Sequence, residues 1–183
     1  MGKNIAIIGA TGTGKTTDAI QIGNSVDFEN KLVFDINKEY TNIPGYQSIY
    51  EPRPDFIKRA LGLRDSLIIF DEATIFFRHG KNSDDILELM LRRRHLNNVC
   101  IFNFHALGQI PLFIVHYIDE MILHHTNDNK NGVNRFEGRE EIEEAFEELF
   151  EMRNGQKLDA LEKSNPKLFK EIKHKSIFIK TAM

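Results

Sequence analysis

Gly9-Ala10-Thr11-Gly12-Thr13-Gly14-Lys15-Thr16 follows directly on the apolar run Ile5-Ala6-Ile7-Ile8. A buried strand, a glycine-rich turn and a helix opening near Lys15 form the expected context of a phosphate-binding P-loop, the Walker A pattern. Glycine lets the backbone curl so that successive N–H groups point inward at an anion. The start of the following helix adds its partial positive charge. This reading assigns nucleotide binding to Gly9, Ala10, Thr11, Gly12, Thr13, Gly14, Lys15, Thr16 and Thr17. Lys15 reaches the β- and γ-phosphates of ATP, and Thr16 ligates Mg²⁺.

Downstream, apolar runs alternate with helical patterns. Lys31-Leu32-Val33-Phe34 ends at Asp35, and Gln47–Tyr50 reads as a short strand. Asp55 opens a short helix to Leu63. Ser66 to Phe70, Val99 to Phe104 and Met121 to His124 read as further strands. Between them, residues 83–95 carry Ile86, Leu87, Met90 and Leu91 at helical spacing, with acids early and arginines late. Buried strands alternating with helices predict an α/β domain of three layers with a mostly parallel central sheet. Residues 1–134 form the predicted core and 135–183 a helical C-terminal extension. That extension holds an acidic amphipathic helix (Arg139 to Met152), a lysine-rich run and an apolar patch, Ile177-Phe178-Ile179. It can pack on the core, on a neighbouring subunit or on nucleic acid, or stand as a solvated appendage.

Composition excludes several classes. At 183 residues the chain can bury a real core without disulfides, and its single cysteine excludes a disulfide framework or a zinc site. Cys100 lies in an apolar run and is expected to pack there; cysteine usage points to an intracellular protein. The seven histidines show no metal-ligand spacing. No stretch resembles a signal peptide or is long enough to cross a bilayer, so a cytoplasmic location is expected. A net charge of −3 gives no global nucleic-acid signature, so contact with DNA must come from local patches.

A second acidic motif narrows the chemistry. Leu67-Ile68-Ile69-Phe70 ends in Asp71-Glu72-Ala73, a Walker B pattern. Asp71 can support Mg²⁺ through its water shell, and Glu72 can polarise an attacking water. Adjacent acids favour hydrolysis over transfer to a second substrate. A GTPase is disfavoured, because Asn129-Lys130-Asn131-Gly132 lacks the acid that reads guanine. Asn103 and His105, at the end of the next strand, are candidate γ-phosphate sensors on one face. Arg92, Arg93 and Arg94 exceed what a helix C-terminus needs, and one can act on a neighbour's γ-phosphate as an arginine finger. The others can contact DNA phosphates.

Together these residues resemble the HerA/FtsK-type branch of P-loop ATPases, small viral genome-packaging ATPases in particular. Phe34-Asp35-Ile36-Asn37-Lys38-Glu39-Tyr40 is similar to that branch's Asp-Pro-x-Gly-Glu-Tyr run, without its Pro and Gly. The sensor is usually Gln, where this chain offers Asn103 and His105. The arginine-rich helix end, the apolar strand and Gly108-Gln109-Ile110-Pro111 complete the likeness, over about Asn4 to Thr126. It implies a RecA-like sheet of order 5-1-4-3-2, a ring of five or six subunits with ATP at the interfaces, and double-stranded DNA as partner. A virion vertex or membrane protein is a further implied partner, with a site in host cytoplasm or virion. Zot-like phage assembly ATPases are similar too, but usually carry a transmembrane segment. A slow nucleotide-dependent switch is the third reading.

Overall fold

The apolar runs pair side by side in one sheet. The structure, a computed structural model, describes residues 2–50, 53–77, 83–128, 136 and 139–181. Its strands are β1 (Lys3–Ile8), β2 (Asn30–Phe34), β3 (Tyr46–Ile49), β4 (Ser66–Phe70), β5 (Val99–Phe104), β6 (Glu120–His124) and β7 (Ser176–Lys180). They lie in the order β3-β2-β4-β5-β1-β6-β7. Every pairing among β1–β6 is parallel, and β7 runs antiparallel to β6. Counted without β3, the strands β1, β2, β4, β5 and β6 follow the predicted order 5-1-4-3-2; β3 is added at one edge and β7 at the other. All residues of β4 and β5 are buried, as a sheet covered on both faces requires.

The helices are α1 (Lys15–Ser25), α2 (Arg53–Leu61), α3 (Thr74–Phe77), α4 (Ser83–Leu96), α5 (Leu112–Val115), α6 (Glu140–Met152), α7 (Leu158–Ser164) and α8 (Pro166–Ile172). Strand alternation sorts the core into two layers. Ile5 and Ile7 join Ala19 of α1, Val33, Leu67, Ile69 and Ile101 on one face. Ala6 and Ile8 join Phe70, Phe102, α2, α4 and α6 on the other. There Phe70 and Phe102 stack at 4.7 Å, on neighbouring strands just below the site. Cys100 is fully buried in this layer, and burial pushes its thiol up to about 12, so it packs as an apolar side chain.

The C-terminal extension departs from the helical prediction. After α6 come two short helices, and the last segment is a strand. Asn165 caps α8, its side chain accepting from the Leu168 N–H at 3.2 Å, with Pro166 in the first turn. Ile177-Phe178-Ile179 then alternates: Ile179 is buried, Phe178 is exposed, and Ile177 packs against the core. Period-two alternation beside an open edge of β6 outweighs the helical composition of the run before it. The domain boundary predicted at 134/135 and the run Asn129-Lys130-Asn131-Gly132 lie outside the described residues. Among the described residues no helix is long and apolar enough to cross a membrane.

Candidate nucleotide-binding site

The loop of residues 9–14 sits at the C-terminal ends of β1, β5 and β6. The Gly9 N–H donates to the Phe104 carbonyl (3.0 Å), and the Ala10 N–H to that of His125 (2.8 Å). Glycine is required at three positions here, Gly12 among them with φ 75°. Gly14 has φ 113°, a conformation L side chains rarely adopt. A Cβ on Gly9 would lie 2.5 Å from the Thr13 hydroxyl and 2.7 Å from the His124 Cβ. The buried Thr13 hydroxyl donates to the Ala10 carbonyl at 2.8 Å and braces the loop from within.

This loop borders a cleft of about 290 Å³ whose wall includes Thr11, Gly12, Lys15, Thr16 and Thr17. Lys15 opens α1 and turns back, its Nζ donating to the carbonyls of Gly9 (2.7 Å) and Ala10 (3.1 Å). Burial lowers its pKa, against the opposing pull of Asp71, Glu72 and Glu39. The Thr16 hydroxyl donates to Glu39 Oε2 at 2.6 Å.

Asp71 and Glu72 follow β4 on the facing wall. Asn103 Nδ2 donates to Asp71 Oδ1 at 3.0 Å. Burial raises the Asp71 pKa to about 6; Asn103 and Lys15 oppose the rise, and Glu39 and Asp35 add to it. His105 stands between the two walls. Its Nε2 lies 2.6 Å from Glu72 Oε2 and its Nδ1 3.4 Å from Lys15 Nζ. An ammonium can only donate, so Nδ1 accepts, and Nε2–H donates to Glu72. The His105 backbone N–H is held by Gln109 Oε1 (3.1 Å), which also accepts from Thr74 (3.2 Å). Asn103 and His105 therefore reach different carboxylates.

Three contributors went unassigned at the level of sequence. Asp35 accepts from the Glu39 N–H and the Tyr40 N–H, each at 2.9 Å, and from the Ser48 hydroxyl at 2.8 Å. It thereby aims Glu39 at Thr16. Both acids stand in the run that carried the family resemblance, so the signal was present. His174 comes from the turn after α8 and lines the same cleft; nothing local in the sequence marks it.

The arginines lie elsewhere. The strands are parallel, so the end of α4 and the start of β5 face away from the P-loop, about 20 Å off by strand length. Arg93 is buried there, its Nε and Nη2 each 2.7 Å from one oxygen of Asp119, its Nη1 2.8 Å from the Met90 carbonyl. This corrects its candidacy as an arginine finger: the guanidinium ties α4 to the start of β6 and is shut off from any neighbour. Burial by itself would raise the Asp119 pKa, but the Arg93 bonds and the Asn4 N–H hold it below the usual range. Arg92 pairs with Glu88 (2.8 Å) and Arg94 approaches Asp119 (3.4 Å), both about half exposed.

Arg93→Ala is expected to cost about 3 kcal/mol, since it leaves a largely buried carboxylate with only the Asn4 N–H and the half-exposed Arg94 as partners. A depressed acid pKa stabilises above the unfolded value, near pH 4, and that part is lost as pH falls below it. Urea unfolding at pH 7 checks the prediction; a loss below 1 kcal/mol refutes it.

No protein-family model matches the chain, and no curated protein shows significant similarity to it. Solved structures do. The genome packaging NTPase B204 of Sulfolobus turreted icosahedral virus 2, with AMP, superposes with a TM-score of 0.62 at 16% identity, over 81% of this chain and 86% of that one. The DNA-packaging ATPase B204 of Sulfolobus turreted icosahedral virus gives 0.60 at 18%, over 80% and 86%. The former was also solved with ATPγS, at 0.62 and 15%. These are proteins of the kind the sequence resembles, and at such identity the likeness bears on architecture: the chain has the α/β fold of these two genome-packaging proteins.

Proposed function

We propose that this chain is a Mg²⁺-dependent ATP hydrolase that works as a ring of five or six subunits moving double-stranded DNA, as in viral genome packaging. One observation carries the reading: a P-loop lysine and a strand-end Asp-Glu pair face each other across one cleft, linked through His105. The structural neighbours solved with AMP and ATPγS support nucleotide as the ligand.

The roles follow from position. Lys15 exchanges its carbonyl partners for β- and γ-phosphate oxygens, a charge-assisted contact stronger than the one it leaves. Thr16, Asp71 and Glu39 offer the hard oxygen donors that suit Mg²⁺; burial first, and then the nearby Glu39 and Asp35, make Asp71 costly to ionise without a cation. Bound there, Mg²⁺ would neutralise charge developing on the phosphates. Glu72 takes a proton from the attacking water, oriented by His105. Asn103 fixes Asp71, and either Asn103 or His105 registers the state of the γ-phosphate. Arg92 and Arg94 remain for action in trans or on DNA.

Steady-state ATP hydrolysis with and without double-stranded DNA, at several protein concentrations, tests this reading against a Lys15→Ala blank. Turnover that rises with DNA, and more than linearly with protein, is the expected result. DNA-independent turnover linear in protein refutes the motor and points to an assembly ATPase or a switch working through protein partners.

A further inference from the structure

The turn between α8 and β7 carries an ammonium, Lys173, and an imidazole, His174, to the mouth of the P-loop. Lys173 Nζ lies 3.4 Å from where a Cβ on Gly12 would stand. His174 Nδ1 lies 3.3 Å from the Thr13 carbonyl oxygen, and 3.7 Å from a Cβ position on Gly14. His174 faces the same cleft as Lys15.

The turn is held on both sides. Leu158, Leu161, Phe169 and Ile172 form a separate apolar cluster around Ala10, the second residue of the P-loop. On its far side β7 is laddered to β6, whose other neighbour is β1 itself. Within the turn, the Lys173 N–H donates to the Phe169 carbonyl (2.9 Å) and the Lys175 N–H to that of Ile172 (2.7 Å). A loop tip far from any site has no need of such anchoring.

Position along the nucleotide follows from the loop. The backbone of residues 12–14 cradles the α- and β-phosphates, whereas Lys15 reaches toward γ. Asp71, Glu72 and His105 line the cleft with Lys15, whereas Lys173 lies beside Gly12 at its rim and His174 beside Gly14. The γ end is strongly acidic, with Asp71, Glu72 and Glu39 all acting on Lys15. A polyphosphate entering this cleft gains most from cations away from those carboxylates.

We propose that Lys173 and His174 form a second phosphate-binding element of the nucleotide site, contacting the α- and β-phosphates in cis. The C-terminal extension is then part of the site, and bound nucleotide pins α7, α8 and β7 to the P-loop. The inference rests on the nucleotide-binding reading above.

The test is titration of wild type, Lys173→Ala, His174→Ala and the double variant with fluorescent ADP and with fluorescent non-hydrolysable ATP. The double variant should raise both Kd values alike, by about tenfold or more. Lys173→Arg should restore affinity. Lys173→Met keeps the stem against Phe169 and serves if the double variant melts early. A Kd within about twofold of wild type for both ligands overturns the proposal. So does a loss confined to the ATP analogue, which would place the two side chains at the γ end. Wild type that binds neither ligand overturns the nucleotide reading itself, so the two failures are distinct.

Discussion

Glu72→Gln is expected to bind ATP as tightly as wild type and to hydrolyse it at least about a hundredfold more slowly. The carboxylate sits across the cleft from Lys15, held through the His105 Nε2–H at 2.6 Å. Glutamine keeps its length, and its amide oxygen can accept the same bond, so the cleft retains its shape. It cannot accept a proton from water. Removing a general base costs about 10²–10⁴ in rate. Thr16 and the loop N–H groups are untouched, and Lys15 loses only the attraction of one carboxylate while Asp71 and Glu39 keep theirs. Parallel measurement of ATP-analogue binding and single-turnover hydrolysis separates the two effects. Turnover within about tenfold of wild type removes Glu72 from the role. Glu39, 2.6 Å from the Thr16 hydroxyl, is then the carboxylate to test next.

The P-loop was legible because its parts are contiguous: strand, turn and helix follow each other within residues 3–25, and the motif dictates their local geometry. Asp71 and Glu72 were legible for a similar reason, standing at the end of a wholly apolar run. The rest depends on partners far along the chain. Three arginines at a helix end look alike in sequence; what makes Arg93 part of the scaffold is Asp119, 26 residues later. β7 has only a few alternating residues, and its edge strand lies more than fifty residues upstream. Glu39 shows a third case. Its segment matched a family pattern, but with Lys38 where that pattern has glycine. Lys38 nonetheless adopts φ 59°, the left-handed conformation that glycine favours. The Asp35 bonds to the Glu39 and Tyr40 N–H groups hold the loop in that shape. The backbone geometry survives the lost glycine, because the loop is set by its carboxylate rather than by residue 38 alone.

Asp71→Asn is expected to abolish turnover and yet to raise the stability of the nucleotide-free protein at pH 8. Asp71 is 8% exposed and its pKa is raised from 3.8 to about 6, with burial the main cause and Glu39 and Asp35 contributing. An acid whose folded pKa lies above its unfolded one is a charge the fold holds at a cost. Ionised Asp71 therefore destabilises the fold above about pH 6, at most by about 3 kcal/mol for a shift of this size. Asparagine removes the charge while its amide oxygen still accepts from Asn103 Nδ2. The sign in pH is specific. As pH falls through about 6 toward 4, wild-type Asp71 takes up a proton on the folded side first, so wild type gains stability and the variant does not. The difference in melting temperature should thus be largest at pH 8 and close by pH 4. Thermal melts across that range check it, and a difference flat in pH would mean that burial of charge at residue 71 is not the cause. With Mg²⁺ and ATP present the order should reverse. The bound ligand stabilises wild type in proportion to its affinity, and the variant has lost the carboxylate that supports the cation.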